Sequence, residues 1–82
     1  VPDRLFQPDK VLDARRLACP LPILKATKAI KAMSPGDVLE VLATDPGAVA
    51  DFEALCAKGR HALIEKSEAE GVWRFVIRRG VD

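Results

Sequence analysis

Cys19 stands immediately before Pro20-Leu21-Pro22, where a helical pattern begins, and that placement is the strongest chemical signal in the chain. Proline is preset for the first helical position, so Pro20 puts Cys19 at the N-cap with its sulfur looking along the helix axis. There the sulfur meets the positive end of the helix dipole and the free first-turn N–H groups. Pro20 and Pro22 donate nothing, which leaves the N–H groups of Leu21 and Ile23 to hold an anionic sulfur. Arg15 and Arg16 upstream, with Lys25 and Lys28 within two turns, act in the same direction. Such surroundings lower a thiol's pKa from about 8.5, and a drop of about two units would make thiolate the majority form at neutral pH. Thiolate is the form that attacks sulfur. On this reading Cys19 is reactive, against the habit of free cysteines to be small buried apolar residues.

The other chemistry-bearing residues read differently. Cys56 falls in the apolar arc of a second helical pattern and is expected to be buried, and the lone His61 reads as a strand-edge residue. Two cysteines and one histidine make neither a disulfide framework nor a metal site. On the first helical wheel Leu21, Leu24, Lys25, Lys28 and Lys31 lie opposite the core arc. Apolar residues ringed by positive charge beside a reactive group suit a docking patch whose partner is acidic around a small apolar centre.

These residues must be positioned by a small domain. The chain has 82 residues, 49% hydrophobic, 30% charged and 5% aromatic, with a formal net charge of +1. A chain of this size forms one domain with a thin core, so chemistry is expected at the surface. Balanced charge and few aromatics argue against nucleic acid as a direct ligand. No apolar run approaches the ~18 residues of a membrane span, and no leader-like segment opens the chain, so a cytoplasmic, soluble protein is expected.

Residues 1–9 read as a flexible or loosely docked N-terminal tail anchored through Leu5 and Phe6, and residues 10–82 as a single domain. A short strand is expected at 10–13 and a helix at 20–33, with Ile23, Ala26, Thr27, Ile30 and Met33 on its core face. The turn Ser34-Pro35-Gly36-Asp37 stops it, and 38–43 alternates as a strand. Asp45-Pro46 marks the N-cap and first residue of a second helix running to about residue 58, buried through Val49, Phe52, Leu55 and Cys56 and closed by Gly59. Strands at 61–67 and 72–79 form a hairpin around Glu70-Gly71, with Trp73, Phe75 and Ile77 inward. The order β-α-β-α-β-β predicts a two-layer α/β (α+β) sandwich: a four-stranded mixed sheet with both helices on one face, joined by right-handed crossovers.

Several of these segments together resemble the TusA/SirA family of small sulfur carrier proteins. The resemblance rests on Leu12-Asp13, Cys19-Pro20-Leu21-Pro22, Met33-Ser34-Pro35-Gly36-Asp37, Thr44-Asp45-Pro46 and the ending Phe75-Val76-Ile77-Arg78-Arg79-Gly80. It covers residues 10–80, and although a Cys-Pro-x-Pro motif alone is short, its order with the other segments is specific. The resemblance implies that Cys19 carries sulfane sulfur as a persulfide, with no cofactor beyond that covalently held sulfur. It implies protein partners: a cysteine desulfurase or rhodanese-like donor, and acceptors in tRNA thiolation, molybdenum cofactor biosynthesis or sulfur oxidation. Pro20 and Pro22 would shape the helix start, Asp13 and Asp45 match the family's acidic positions, and a monomer is expected. One departure stands out, since similar proteins usually have glycine where this chain has Arg16. If that glycine serves a positive backbone dihedral, arginine is strained there and the loop takes another course; alternatively the extra charge tunes partner choice.

The leading reading is a covalent sulfur carrier with sulfurtransferase-type chemistry, which needs no base at the site because thiolate and leaving-group acidity govern such exchange. Two others stand beside it: a non-catalytic interaction or regulatory module, and a thiol redox protein, which would need a resolving cysteine nearby.

Overall fold

The computed structural model describes residues 8–58 and 61–80. Its elements run β1 (Lys10–Ala14), α1 (Leu21–Ala32), β2 (Val38–Ala43), α2 (Gly47–Ala57), β3 (Ala62–Ala69) and β4 (Val72–Arg78). The strands form one sheet in the order β1-β2-β4-β3, with β1 parallel to β2 and the other two pairings antiparallel. This is the expected β-α-β-α-β-β mixed sheet. Helix α1 packs over β1 and β2, α2 packs over β3 and β4, and the helices touch each other.

Alternation along the strands assigns the two faces. Leu39, Val41 and Ala43 of β2, Ala14 of β1 and Phe75 and Ile77 of β4 turn toward the helices and are fully buried. Phe52 of α2 stacks on Phe75, ring centroids 4.6 Å apart and planes at 23°, and these are the two largest fully buried side chains. Val76 departs from the expected wet face: it is fully buried. It lies in register between Glu40 and Glu65, and Arg74 bridges both carboxylates at 2.6 and 2.9 Å, so a polar lattice of aliphatic stems covers the valine.

Several boundaries shift for identifiable reasons. β1 runs one residue further, because Ala14 pairs with Ala43. Pro20 has φ −98° and ψ 17°, outside the helical region, so Pro20 and not Cys19 is the N-cap of α1. The buried side of α1 is Pro22, Ala26, Ala29 and Ile30, whereas Ile23 and Thr27 are half-buried; the helix is rolled relative to the expected arc, and Pro22 is part of the core as well as of the helix start. In α2 the N-cap is Pro46 instead of Asp45, and Ala48 and Phe52 are its buried residues. β3 starts and ends later than expected, Ala62–Ala69, with an irregularity between Leu63 and Glu65. The Glu70-Gly71 turn has φ of 53° and 82°, the mirror-image geometry that two-residue hairpins favour. Asp9 ties the entry to β1 down: its N–H donates to the Val38 carbonyl at 2.8 Å and its carboxylate accepts the Val38 N–H at 2.8 Å. The anchors Leu5 and Phe6 and the cap Gly59 lie outside the described residues.

Because so much of a thin core is one aromatic pair, Phe52→Ala is expected to cost about 3–5 kcal/mol, a large part of the stability of so small a domain. Urea unfolding followed by far-UV circular dichroism measures it, and a loss below about 1 kcal/mol would show that the core does not hinge on this pair.

Candidate functional site

Parallel pairing of β1 and β2 brings their carboxyl ends to one edge of the sheet, so both strand-to-helix connections leave from the same place. Cys19 lies on the first connection, residues 15–20, and Thr44 and Asp45 open the second. The two are laced together by consecutive acceptors. Thr44 Oγ1 accepts the Arg16 N–H at 2.8 Å, and Asp45 Oδ2 accepts the Cys19 N–H at 2.5 Å. The other carboxylate oxygen, Oδ1, accepts the Gly47 N–H at 3.0 Å, so Asp45 still satisfies a first-turn donor of α2 although it stands one residue before the cap. Both donations hold its carboxyl below the usual range, the Cys19 amide first and the Gly47 amide second.

Arg16 sits at φ 72°, so the loop keeps a left-handed residue there and does not take another course. An L-residue in that region costs roughly 1–2 kcal/mol, and the bond to Thr44 is what holds it. Cys19 is exposed and not in a disulfide, and its peptide bond to Pro20 is cis. A side chain on Gly47 would start 3.6 Å from the Cys19 Cβ; glycine leaves that flank of the cysteine uncovered.

The electrostatics at the sulfur reverse the expectation. Cys19 Sγ donates to Asp51 Oδ2 at 3.0 Å. That hydrogen bond is the largest cause pushing the thiol pKa up from its ordinary value, followed by partial desolvation and the charges of Asp51 and Asp45. The expected donors do not serve it: Cys19 is one residue outside the cap, and the Leu21 N–H is donated to the Ala18 carbonyl at 2.9 Å. Ile23 is half-buried and packs against the core.

The basic residues go elsewhere. Arg15 grips Asp13 through two contacts of 2.8 Å and holds that carboxyl down to about 2. Arg16 joins Asp13, Arg15 and Thr44 around a cavity of about 510 Å³. Lys25 and Lys28 line a groove with Lys10 and Leu12 of β1. Leu21 and Leu24 are 45% and 57% exposed, so the leucine–lysine face of α1 is open as expected. Cys56 is half-buried, and burial pushes its thiol up; His61 Nδ1 accepts the Gly80 N–H at 3.0 Å.

Asp51 was not anticipated from the sequence, and Asp45 was anticipated as a cap but not as the holder of Cys19. The available signal was topological. In a β-α-β-α order with a parallel first pair, both helix starts share one sheet edge, so an acidic residue in the first turns of α2 faces whatever precedes α1. Among the described residues no three His, Cys, Asp or Glu side chains converge as metal ligands, and no helix is long and apolar enough to cross a membrane.

Comparison with known proteins agrees on one family. The family model described as "Sulfurtransferase TusA" matches residues 10–79. A Neisseria meningitidis protein described as a candidate sulfur carrier is 52% identical over 69 residues, covering 84% of this chain and 93% of that one. The sulfur carrier protein TusA of Allochromatium vinosum is 49% identical over 71 residues, covering 87% and 93%. Among solved structures, a SirA-like protein from Desulfitobacterium hafniense superposes with a TM-score of 0.77, covering 88% of this chain and 99% of that one; at 24% identity it speaks for the fold.

Loss of the Asp45 carboxylate should free the loop that carries the cysteine. In Asp45→Ala the amide protons of Cys19 and Gly47 should exchange faster than in the wild type while that of Phe75 is unchanged; equal rates would show that the carboxylate does not hold the loop. The folded-state pKa of Asp45 is depressed, so this protection is complete above the ordinary aspartate value of about 3.9 and is lost as pH falls through the lower folded value.

Proposed function

The chain belongs to the TusA sulfurtransferase family, and from that premise we propose that Cys19 accepts sulfane sulfur as a persulfide and relays it between partner proteins. The observation that carries the reading is an exposed free thiol, held by its own backbone amide at the meeting point of two crossovers and open to another protein. In loading, the Cys19 thiolate attacks the outer sulfur of a donor persulfide. A new S–S bond forms at Cys19, the donor's S–S bond breaks, and the departing donor thiolate takes up the proton released from Cys19. A thiol and a persulfide become a persulfide and a thiol, with no external oxidant or reductant. Unloading is the same exchange, with an acceptor thiolate as attacker and Cys19 as leaving group.

The acidic surroundings tilt this chemistry. A thiol of raised pKa is a stronger nucleophile once deprotonated but a slower leaving group, so delivery depends on what the acceptor brings to the site. We place the protein as a monomeric cytoplasmic carrier fed by a cysteine desulfurase or rhodanese-like donor. Acceptors in tRNA thiolation, molybdenum cofactor assembly or sulfur oxidation would differ in what they present to the same thiol.

Incubation with polysulfide followed by intact-mass spectrometry tests the carrier directly. One reducible sulfur mass is expected on the wild type and on Cys56→Ser, and none on Cys19→Ser; an adduct that survives Cys19→Ser would assign the sulfur elsewhere. Docking is assigned to the face of α1 where exposed Leu21 and Leu24 stand among Lys25 and Lys28. The double change Lys25→Glu, Lys28→Glu should slow sulfur transfer from a protein donor about tenfold while loading by polysulfide changes little. Equal slowing with both sulfur sources would remove the patch from the proposal.

A further inference from the structure

The charged groups that act on the Cys19 sulfur come from α2 and its entry. Asp51, in the first half of α2, accepts the thiol at 3.0 Å, and Asp45, just before the helix, holds the Cys19 amide. Neither carboxylate forms an ion pair among the described residues. On the loop, Arg15 is paired with Asp13, and Arg16 lines the cavity shared with Asp13 and Thr44. On α1, Lys25 and Lys28 border the groove along β1. The reacting atom of a net basic chain therefore sits beside two uncompensated negative charges.

Two carboxylates that hold only neutral donors beside an exposed nucleophile fit a cation. Left alone they disfavour a third negative charge, so the resting sulfur keeps its proton. A guanidinium or ammonium set against them cancels that repulsion and competes for the Asp51 oxygen that the S–H group occupies. We propose that Asp51 gates Cys19: its carboxylate keeps the proton on the unpartnered thiol, and a cationic group of the sulfur donor, by pairing with Asp51 and Asp45, releases the thiolate for attack on the donor's outer sulfur. The inference rests on the carrier reading and adds the chemistry of the partner's contact at the sulfur. The proton leaves Sγ as the bond to the incoming sulfur forms, the partner's S–S bond breaks, and its departing sulfur is protonated. Between partners the protonated thiol is also shielded from oxidation, which proceeds through thiolate.

The test uses reagents that carry no sulfane sulfur, so it stands apart from the carrier experiment. Cys56→Ser serves as background, and each rate is divided by that of N-acetylcysteine amide with the same reagent. Asp51→Asn should raise the rate of iodoacetamide alkylation of Cys19 at pH 7 by about an order of magnitude. The background protein should exchange about tenfold faster with the cationic disulfide cystamine than with the anionic 3,3′-dithiodipropionate, and this preference should shrink in Asp51→Asn and in high salt. Asp51→Ser gives a second variant, with circular dichroism confirming the fold, and the salt series needs no variant. An unmoved alkylation rate in the folded variants, or no cation preference in the background protein, overturns the gate. Failure to take up sulfur from polysulfide would sink the carrier reading and leave these readouts intact.

Discussion

One carboxylate joins the two halves of this fold at the place where chemistry happens. Asp45 receives an amide from each of two connections, Cys19 from the first crossover and Gly47 from the second, one oxygen apiece. Hydrogen bonds to an ionised acceptor are about twice as strong as neutral ones, and here a single charge serves two of them. The arrangement depends on β1 and β2 being parallel neighbours, because only then do both connections begin at one edge. Thr44 adds a second tie through the Arg16 amide, so a loop with a left-handed arginine in it is pinned at two amides three residues apart. The sulfur itself lies outside the core and borrows its position from the backbone that carries it.

The same tie sets the electrostatics. A helix start ordinarily favours an anion, and a thiol placed at the cap of α1 would gain from that field. Cys19 instead stands one residue before the cap, and the entry to α2 brings Asp45 and then Asp51 against it. The dipole effect fades within the first turn and amounts to a fraction of a charge, whereas each carboxylate contributes a whole one. The hydrogen bond to Asp51, with partial desolvation and then the charges of Asp51 and Asp45, outweighs a partial charge at a distance, and the thiol pKa goes up. For a carrier this has a use: a sulfur that is too acidic leaves readily but attacks weakly, and one whose proton is favoured at rest waits for its partner.

What could be read from the chain alone divides along the same line between local and tertiary causes. The hairpin at Glu70-Gly71, the stop at Gly36 and the strand alternation through Leu39, Val41, Phe75 and Ile77 follow from residue preferences over a few positions, and they stand as expected. Cys19 was legible because cysteine beside two prolines at a helix start is a local pattern. The charge around it was not, since Asp51 is 32 residues away and reaches the sulfur only through the packing of α2 beside α1. Arg15 was misread for the opposite reason: a partner only two residues away, Asp13, takes one edge of its guanidinium in a bidentate grip. The roll of α1 was hidden by Pro22, which a sequence reading gives to the helix start and the structure also gives to the core. Val76 shows the same limit, because a strand face counted as wet can be closed by an Arg74 bridge to two other strands.

The near-neutral net charge conceals two surfaces of opposite sign, and the proposed docking and gating ask a partner to meet both. The leucine–lysine face of α1 asks for acidic groups around an apolar centre, while the carboxylates at Cys19 ask for a cation. A partner that satisfied only the first would dock without releasing the thiolate, and one that satisfied only the second would reach the sulfur without being held. Requiring both divides recognition into a part that binds and a part that activates. Specificity gained this way comes from rejecting proteins that match one half, as well as from affinity for those that match the whole. A fold with a thin core and an exposed sulfur has few other means of choosing its partners, since a thiol open to solvent is sorted by what docks around it.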